Sequence, residues 1–429
     1  MEPDLAGVSY QGAGFVCSNA QTAHMKISLL GHFGKGNQGN EGTFESVLYH
    51  VRRLMPDAES LCICTGPDAV AADYGIATVQ MMGFTGAPSN PRNPVARVLR
   101  RVFVGIPREI RRWLDAVRTL RGTDALVIPG TGLLTDAYGL SHWGPYNLFR
   151  WCLAAKLRRS RLLFVSVGVG PVYTRAGRLL LRSALSLANY RSFRDEPSKE
   201  WARRVGVRVD ADSVVPDLVF SYPEELSVER EAVRRNRRTV GLGLMHDAGK
   251  YSVDVPTDEI YRAYLENMAA FARWLLDNNW NIRLLIGDVV DIPVIHEFQG
   301  LLKKTGAYDE SHVAYQTPRS VQHLMEQLAG TEIVVATRFH NVLMALLLNK
   351  PAIAISFHHK CSSLMNQMGM LNYCQDITHL DSAELIEKFR QLEKSAETVK
   401  QAVRLKVQEC RNSLNEQYRL IKNLVVRAN

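Results

Sequence analysis

Short apolar runs recur along the chain, and most of them stop at a glycine or a charged residue. In the first half, Met25–Gly31, Leu61–Thr65, Asp124–Gly130, Arg161–Val167 and Ser213–Asp217 read as strands, with a further short one at Ala77–Met81. In the second, Thr239–Leu244, Asn281–Ile286, His312–Tyr315, Glu332–Ala336 and Ala352–Ser356 do the same. Runs this short, bounded by turn residues, fit buried strands. Between them lie segments whose apolar residues return every three or four positions, such as Tyr261, Tyr264, Leu265, Met268, Phe271 and Leu275. Alternating strands and amphipathic helices predict two parallel α/β units. The predicted organisation is a flexible tail over 1–24, a Rossmann-like domain over 25–225, a second over 236–380 and a helical segment over 381–429. A polar, arginine-rich stretch at 222–238 reads as the linker. From Ile386 to Ile421 the apolar stripe keeps steps of three and four without a strict heptad. That predicts helices packing back across both domains rather than a coiled coil.

In a parallel sheet the turns after the strands share one edge, where open α/β sheets bind ligands. Thr337–His340 (ThrArgPheHis) follows the run Ile333–Ala336 and precedes a helical stretch. Arg338 therefore stands at a helix N-terminus, either facing an anion or capping a loop. Gly36–Glu41 (GlyAsnGlnGlyAsnGlu) follows the first strand and reads either as an anion cradle or as a tight turn needing positive φ. It is neither the dinucleotide fingerprint nor a Walker A. A helix is predicted from Gly42 to Leu54.

Composition narrows the class. A chain of 429 residues with 46% hydrophobic and 22% charged content is globular and natural as two domains. Its net charge of +9 favours anionic partners. Seven scattered cysteines without metal-ligand spacing fit a reducing, cytoplasmic setting. No apolar run is long enough to span a membrane, and the first 24 residues do not read as a signal peptide. Nine arginines fall within 92–121, interleaved with apolar residues. This segment reads as two basic amphipathic helices split near Gly105–Pro107. They are either a solvated face over the domain core, the preferred reading, or a peripheral contact with an anionic membrane.

The ordered motifs resemble the polysaccharide pyruvyl transferase family. They are Gly36–Glu41, Pro129–Leu134, Val167–Pro171, Arg194–Ser198, Val215–Asp217, Thr337–His340 and His358–Lys360. The chain departs from the family pattern at Asn40, where Asp is usual, and at Thr131, where a third glycine is usual. The resemblance implies two Rossmann-like domains arranged as in GT-B glycosyltransferases. It also implies transfer of a pyruvyl group from phosphoenolpyruvate, as co-substrate and without a cofactor, to two hydroxyls of a sugar. By the same resemblance Arg338 and Arg194 bind the donor, and His340 and His142 are the catalytic histidines.

The chemistry fits those residue types. A carboxylate and a phosphate on three carbons call for several cations, and arginine binds oxygen pairs with its planar fork. Lys360 either takes a phosphate oxygen or is a solvated lysine at a helix start. The turns add Asn37 and Gly168 to the donor set. Protonating the enol methylene and activating a hydroxyl suit histidine. His340 is assigned protonation of the enol carbon or of the departing phosphate and His142 the acceptor hydroxyl, with the order of acid and base between them left open. Trp143, His246 and Tyr251 are assigned to the sugar acceptor, in a polysaccharide or a glycolipid. No metal is expected: His358 and His359 beside Cys361 are adjacent and point apart. Two alternatives stand: a nucleotide-sugar glycosyltransferase, with Asp376 as its ribose-binding carboxylate, or a non-enzymatic membrane or nucleic-acid binder acting through 92–121.

Overall fold

In the computed structural model the described residues are 25–82, 101–137, 144–224, 238–246, 257–304, 306 and 309–426. The predicted tail, most of the linker, Arg92–Arg100, His142, Trp143 and Tyr251 lie outside them.

The first set of strands is β1 (Lys26–Gly31), β2 (Glu59–Cys64), β3 (Ala77–Gln80), β4 (Ala125–Pro129), β5 (Arg161–Val167), β6 (Tyr190–Phe193) and β7 (Ser213–Val214). They form one parallel sheet in the order β3-β2-β1-β4-β5-β6-β7. The second set is β8 (Thr239–Gly243), β9 (Asn281–Leu285), β10 (Val313–Tyr315), β11 (Ile333–Ala336), β12 (Ala352–Ser356) and β13 (Cys374–Asp376). These form a parallel sheet in the order β10-β9-β8-β11-β12-β13. Strands β4, β8, β11 and β12 are buried along their whole length, as expected of a sheet covered by helices on both faces. Each sheet reverses its strand order once, between β1 and β4 and between β8 and β11. Both reversals open crevices at the carboxyl ends. At the first, the Thr131 hydroxyl accepts from His32 N at 3.2 Å, so the residue that replaces the usual glycine ties the two turns together.

Strands β6 and β13 are not announced by the apolar pattern, and two helices also differ from the sequence reading. The helix expected from Gly42 starts four residues earlier, at Gln38, because Asn37 caps it: its side-chain oxygen accepts from Asn40 N at 3.1 Å. The break expected at Gly105–Pro107 is absent. A π-helical turn at Arg101–Gly105 runs straight into the helix Ile106–Thr119. Pro107 falls in the first turn of that helix, where its missing N–H costs no hydrogen bond.

The C-terminal stripe forms two helices, Ser382–Lys394 and Ala396–Val426. The second returns to the first domain. The amide of Gln417 spans three side chains there, donating to Ser166 Oγ at 3.0 Å and accepting from Ser192 Oγ and Tyr190 OH at 2.5 and 3.0 Å. Tyr418 stacks on His50 with ring centroids 4.0 Å apart. One continuous core therefore runs from β1 through both sheets to Val425.

Candidate active site

The cleft is built from strand ends of both sheets. From the first come Gly168 after β5, Arg194 and Asp195 after β6, and Asp217 in the turn after β7. From the second come Arg338 and His340 after β11, and His358, His359 and Lys360 after β12. Arg194 is buried. Its Nη1 donates to Asp217 Oδ2 at 2.9 Å, its Nε lies 3.5 Å from Asp195 Oδ2, and its guanidinium stacks 4.7 Å from the Phe339 ring centroid. A first-domain arginine thus rests on a second-domain aromatic ring. Gly168 makes room for it: a Cβ there would lie 2.8 Å from Arg194 Nη2.

Arg338 is the last non-helical residue before the helix Phe339–Leu347, as the sequence places it. Its Nε and Nη2 donate to Asp291 Oδ2 and Oδ1 at 2.7 and 2.6 Å. Asp291 is 0% exposed and also accepts from His246 N at 2.9 Å. Burial raises the Asp291 carboxyl above its ordinary value, and Arg338 and the His246 amide oppose that. The side chain of His246 meets Tyr261, whose hydroxyl lies 3.4 Å from Nδ1. His246 therefore sits beside the Arg338 clamp rather than among the cleft cations.

His340 is the pivot. Its Nε2 has no hydrogen-bond partner and lies 4.0 Å from Asp217 Oδ2. Burial lowers it to about 4; Asp217 opposes the shift, while Arg194, Lys360 and Arg338 add to it. His358 and His359 are lowered to about 3 and about 4, again chiefly by burial, with Lys360 and Arg194 contributing. Lys360 falls to about 8 by burial and then by Arg194, with Asp195 opposing. These mutual influences place three cations and three neutral imidazoles in one crevice, with Asp195 and Asp217 beside Arg194 and Asp291 on Arg338 as the carboxylate partners. Among the described residues no group of three His, Cys, Asp or Glu side chains forms a metal-holding cluster.

Gly39, on the helix Gln38–Leu54, closes against His340: a Cβ there would fall 1.8 Å from Nδ1. Gly39→Ala is expected to lower turnover by more than roughly tenfold, because the imidazole or the domain must move. The wild-type helix content should persist by circular dichroism. Unchanged turnover would mean that the close approach plays no part in catalysis.

The glycine turn holds a carboxyl group of its own. Glu41 Oε1 accepts from Gly34 N at 2.8 Å and Lys35 N at 3.2 Å, and burial raises its carboxyl to about 7 despite those bonds. The Asn37 amide reaches the other domain instead, donating to Asp288 Oδ2 at 2.6 Å, next to a bond from Gln38 N to Gly287 O at 2.9 Å. This pair fastens the two domains beside the cleft. Asp376 ends edge strand β13 and accepts from Thr378 N and Oγ1 at 2.8 and 2.5 Å. The sequence reading did not assign Asp195, Asp217, Asp291 or Glu41. Asp195 and Asp217 lay inside motifs already singled out, whereas Asp291 carried no local signal.

The family model described as polysaccharide pyruvyl transferase matches residues 45–359. The amylovoran biosynthesis protein AmsJ of Erwinia amylovora is 20% identical over 425 residues, spanning 90% of this chain and 96% of that protein. Among solved structures, Anabaena HepE in complex with UDP and glucose superposes with a TM-score of 0.58 at 14% identity, covering 92% of this chain and 99% of that one. The UDP-GlcNAc 2-epimerase of Neisseria meningitidis bound to UDP-GlcNAc gives 0.52 at 11%, covering 94% and 99%. MurG of Acinetobacter baumannii gives 0.51 at 13%, also covering 94% and 99%. These likenesses establish the fold, two facing Rossmann-like domains of the GT-B type. With the family match spanning most of the chain, the protein belongs to the polysaccharide pyruvyl transferase family.

Proposed function

We propose that the cleft transfers the enolpyruvyl group of phosphoenolpyruvate to two hydroxyls of a sugar, closing a cyclic ketal and releasing phosphate. The observation that carries this reading is the convergence of Arg194, Arg338, Lys360 and His340 from both domains. A small ligand with a carboxylate and a phosphate matches the N–H donors of this set that Asp195, Asp217 and Asp291 leave uncommitted. Arg194 and Arg338 are each pre-set by a carboxylate, so their forks are already oriented when the donor arrives. Lys360 stays largely protonated at neutral pH and takes a phosphate oxygen.

In the free protein His340 is neutral, since its value lies near 4. A bound donor carries several negative charges into the crevice and raises that value, which converts His340 into an acid. Its proton passes to the methylene carbon of the donor, and the central carbon becomes electrophilic. One sugar hydroxyl attacks that carbon and loses its proton. The carbon–oxygen bond to phosphate breaks, with its electrons leaving on phosphate. The second hydroxyl closes the ring and its proton is released. His142 serves the acceptor hydroxyl in this proposal, and Trp143, His246 and Tyr251 contact the sugar; Gly168 lines the donor side. The reaction runs on the cytoplasmic side of the cell.

The deciding experiment is phosphate release from phosphoenolpyruvate with a panel of hexose and N-acetylhexosamine glycosides, run beside thermal shifts with phosphoenolpyruvate and with UDP. Acceptor-dependent release and stabilisation by phosphoenolpyruvate are expected. Stabilisation by UDP alone would transfer the cleft to a nucleotide sugar.

The acid role makes a separate prediction about pH. By NMR, His340 should titrate near 4 in the free protein and move upward with saturating phosphoenolpyruvate. A midpoint unmoved by the donor would remove His340 as the acid.

A further inference from the structure

We propose that the apolar, arginine-rimmed face formed by Phe103, Val104 and the helix Ile106–Thr119 docks on an anionic membrane surface. Phe103 is 72% exposed, Ile110 55% and Leu114 49%. Ile106, Ile110 and Leu114 recur every four residues and so form one stripe. Arg111, 83% exposed, and Arg118 lie on the neighbouring stripe and both pair loosely with the exposed Asp115 between them, at 3.8 and 3.6 Å, which leaves net positive charge on that stripe. The far side of the helix, and the flank at Trp113, are committed to the fold. Ala116 is buried, Trp113 Nε1 donates to Tyr146 OH at 2.8 Å, and Arg112 Nη2 donates to Asn147 Oδ1 at 3.2 Å. The helix is therefore firmly seated by these contacts, while about half of each stripe side chain stays open to solvent.

Charge selects the occupant. The chain carries +9, so a second copy would bring like charge to an arginine rim. An anionic bilayer offers both partners at once: headgroup phosphates for the arginines and the acyl boundary for a stripe one side chain deep. Among the described residues no helix is long and apolar enough to cross a membrane, so this contact would be peripheral. The helix precedes β4 and runs back against the strand direction. Its Phe103 end therefore points to the carboxyl edge of the sheet, the edge that carries the cleft. The surface is independent of the donor assignment, and vesicle binding reads it alone.

The test is co-sedimentation of the full chain with vesicles of phosphatidylcholine and of an equal phosphatidylcholine–phosphatidylglycerol mixture. Partition onto the mixed vesicles only, weakening as salt rises, is expected. Ile110→Ser with Leu114→Ser should lower that partition at least roughly tenfold. Arg111→Gln and Arg118→Gln should lower it roughly fivefold per charge. Leu405→Ser, an exposed apolar position on the C-terminal helix, should leave it unchanged. Circular dichroism melts and the phosphoenolpyruvate thermal shift of each variant keep misfolding apart from lost docking. Equal binding to neutral vesicles, or no loss in the stripe and arginine variants, overturns the proposal. So does self-association that the stripe variant abolishes without any vesicle partition, which would give the face to a second copy.

Discussion

Replacing His340 with alanine is expected to lower acceptor-dependent phosphate release by about 10²–10⁴-fold, the range of a single general acid or base. The fold should survive, because Nε2 makes no hydrogen bond that the change would break. The imidazole stays neutral in the folded protein down to about pH 4, whereas an unfolded histidine titrates near 6.5. The unfolded state therefore binds more protons between those values, and stability falls as pH drops through that window. His340→Ala removes one contributor to this loss, so the variant should tolerate pH 5 slightly better than the wild type. His32, lowered to about 4 by its burial, and His358 and His359 keep the rest of the acid sensitivity. Denaturant titrations at pH 7 and pH 5 read this sign, and release assays read the chemistry. A His340→Ala protein that still turns over at the wild-type rate would move the proton to another group.

Arg338→Met should cost both activity and stability, and a second change separates the two. The substitution strands the Asp291 carboxylate, which is 0% exposed and would retain only the His246 amide at 2.9 Å. Removing one partner of a buried ion pair costs about 3–5 kcal/mol, and the lower end applies because Arg338 is partly exposed. The double variant Arg338→Met/Asp291→Asn removes the stranded charge at nearly constant shape. Most of the stability should return, measured as the urea midpoint. Phosphate release should stay suppressed, because the donor's anionic groups have lost one fork. Recovery of release in the double variant would show that Arg338 serves the fold alone. A single variant as stable as the wild type would show that the pair is not structural.

Much of the candidate site is legible in the amino-acid sequence, for a local reason. Arg338, His340 and Lys360 each follow a buried strand within a few residues, and parallel strands send such residues to one edge; Arg194 follows β6, a half-buried strand that the apolar pattern does not announce. Their carboxylate partners are less legible. Asp217 is 23 residues from Arg194, and Asp291 is 47 residues from Arg338 in a turn with no motif of its own. The glycine turn is legible as a place for an anion, but local sequence does not say that Glu41 fills it. Asn37 reads as a donor ligand; its amide instead meets Asp288, 251 residues away. The basic stretch reads as two helices because Gly105 and Pro107 look like a break, and the first-turn position of the proline removes the cost of that break.

Periodicity and turn chemistry act over a few residues, and they suffice for two parallel α/β units, their strand ends, the apolar stripe of the last helix and the family motifs. Those features were therefore determined by sequence. Tertiary contacts decided that Gly39 closes on His340, that Arg194 stacks on Phe339 across the cleft, and that Gln417 returns to Ser166 and Ser192. They also decided the protonation of the site. Burial and three neighbouring cations, drawn from strands in both domains, hold His340 near 4, and no stretch of sequence contains that sum.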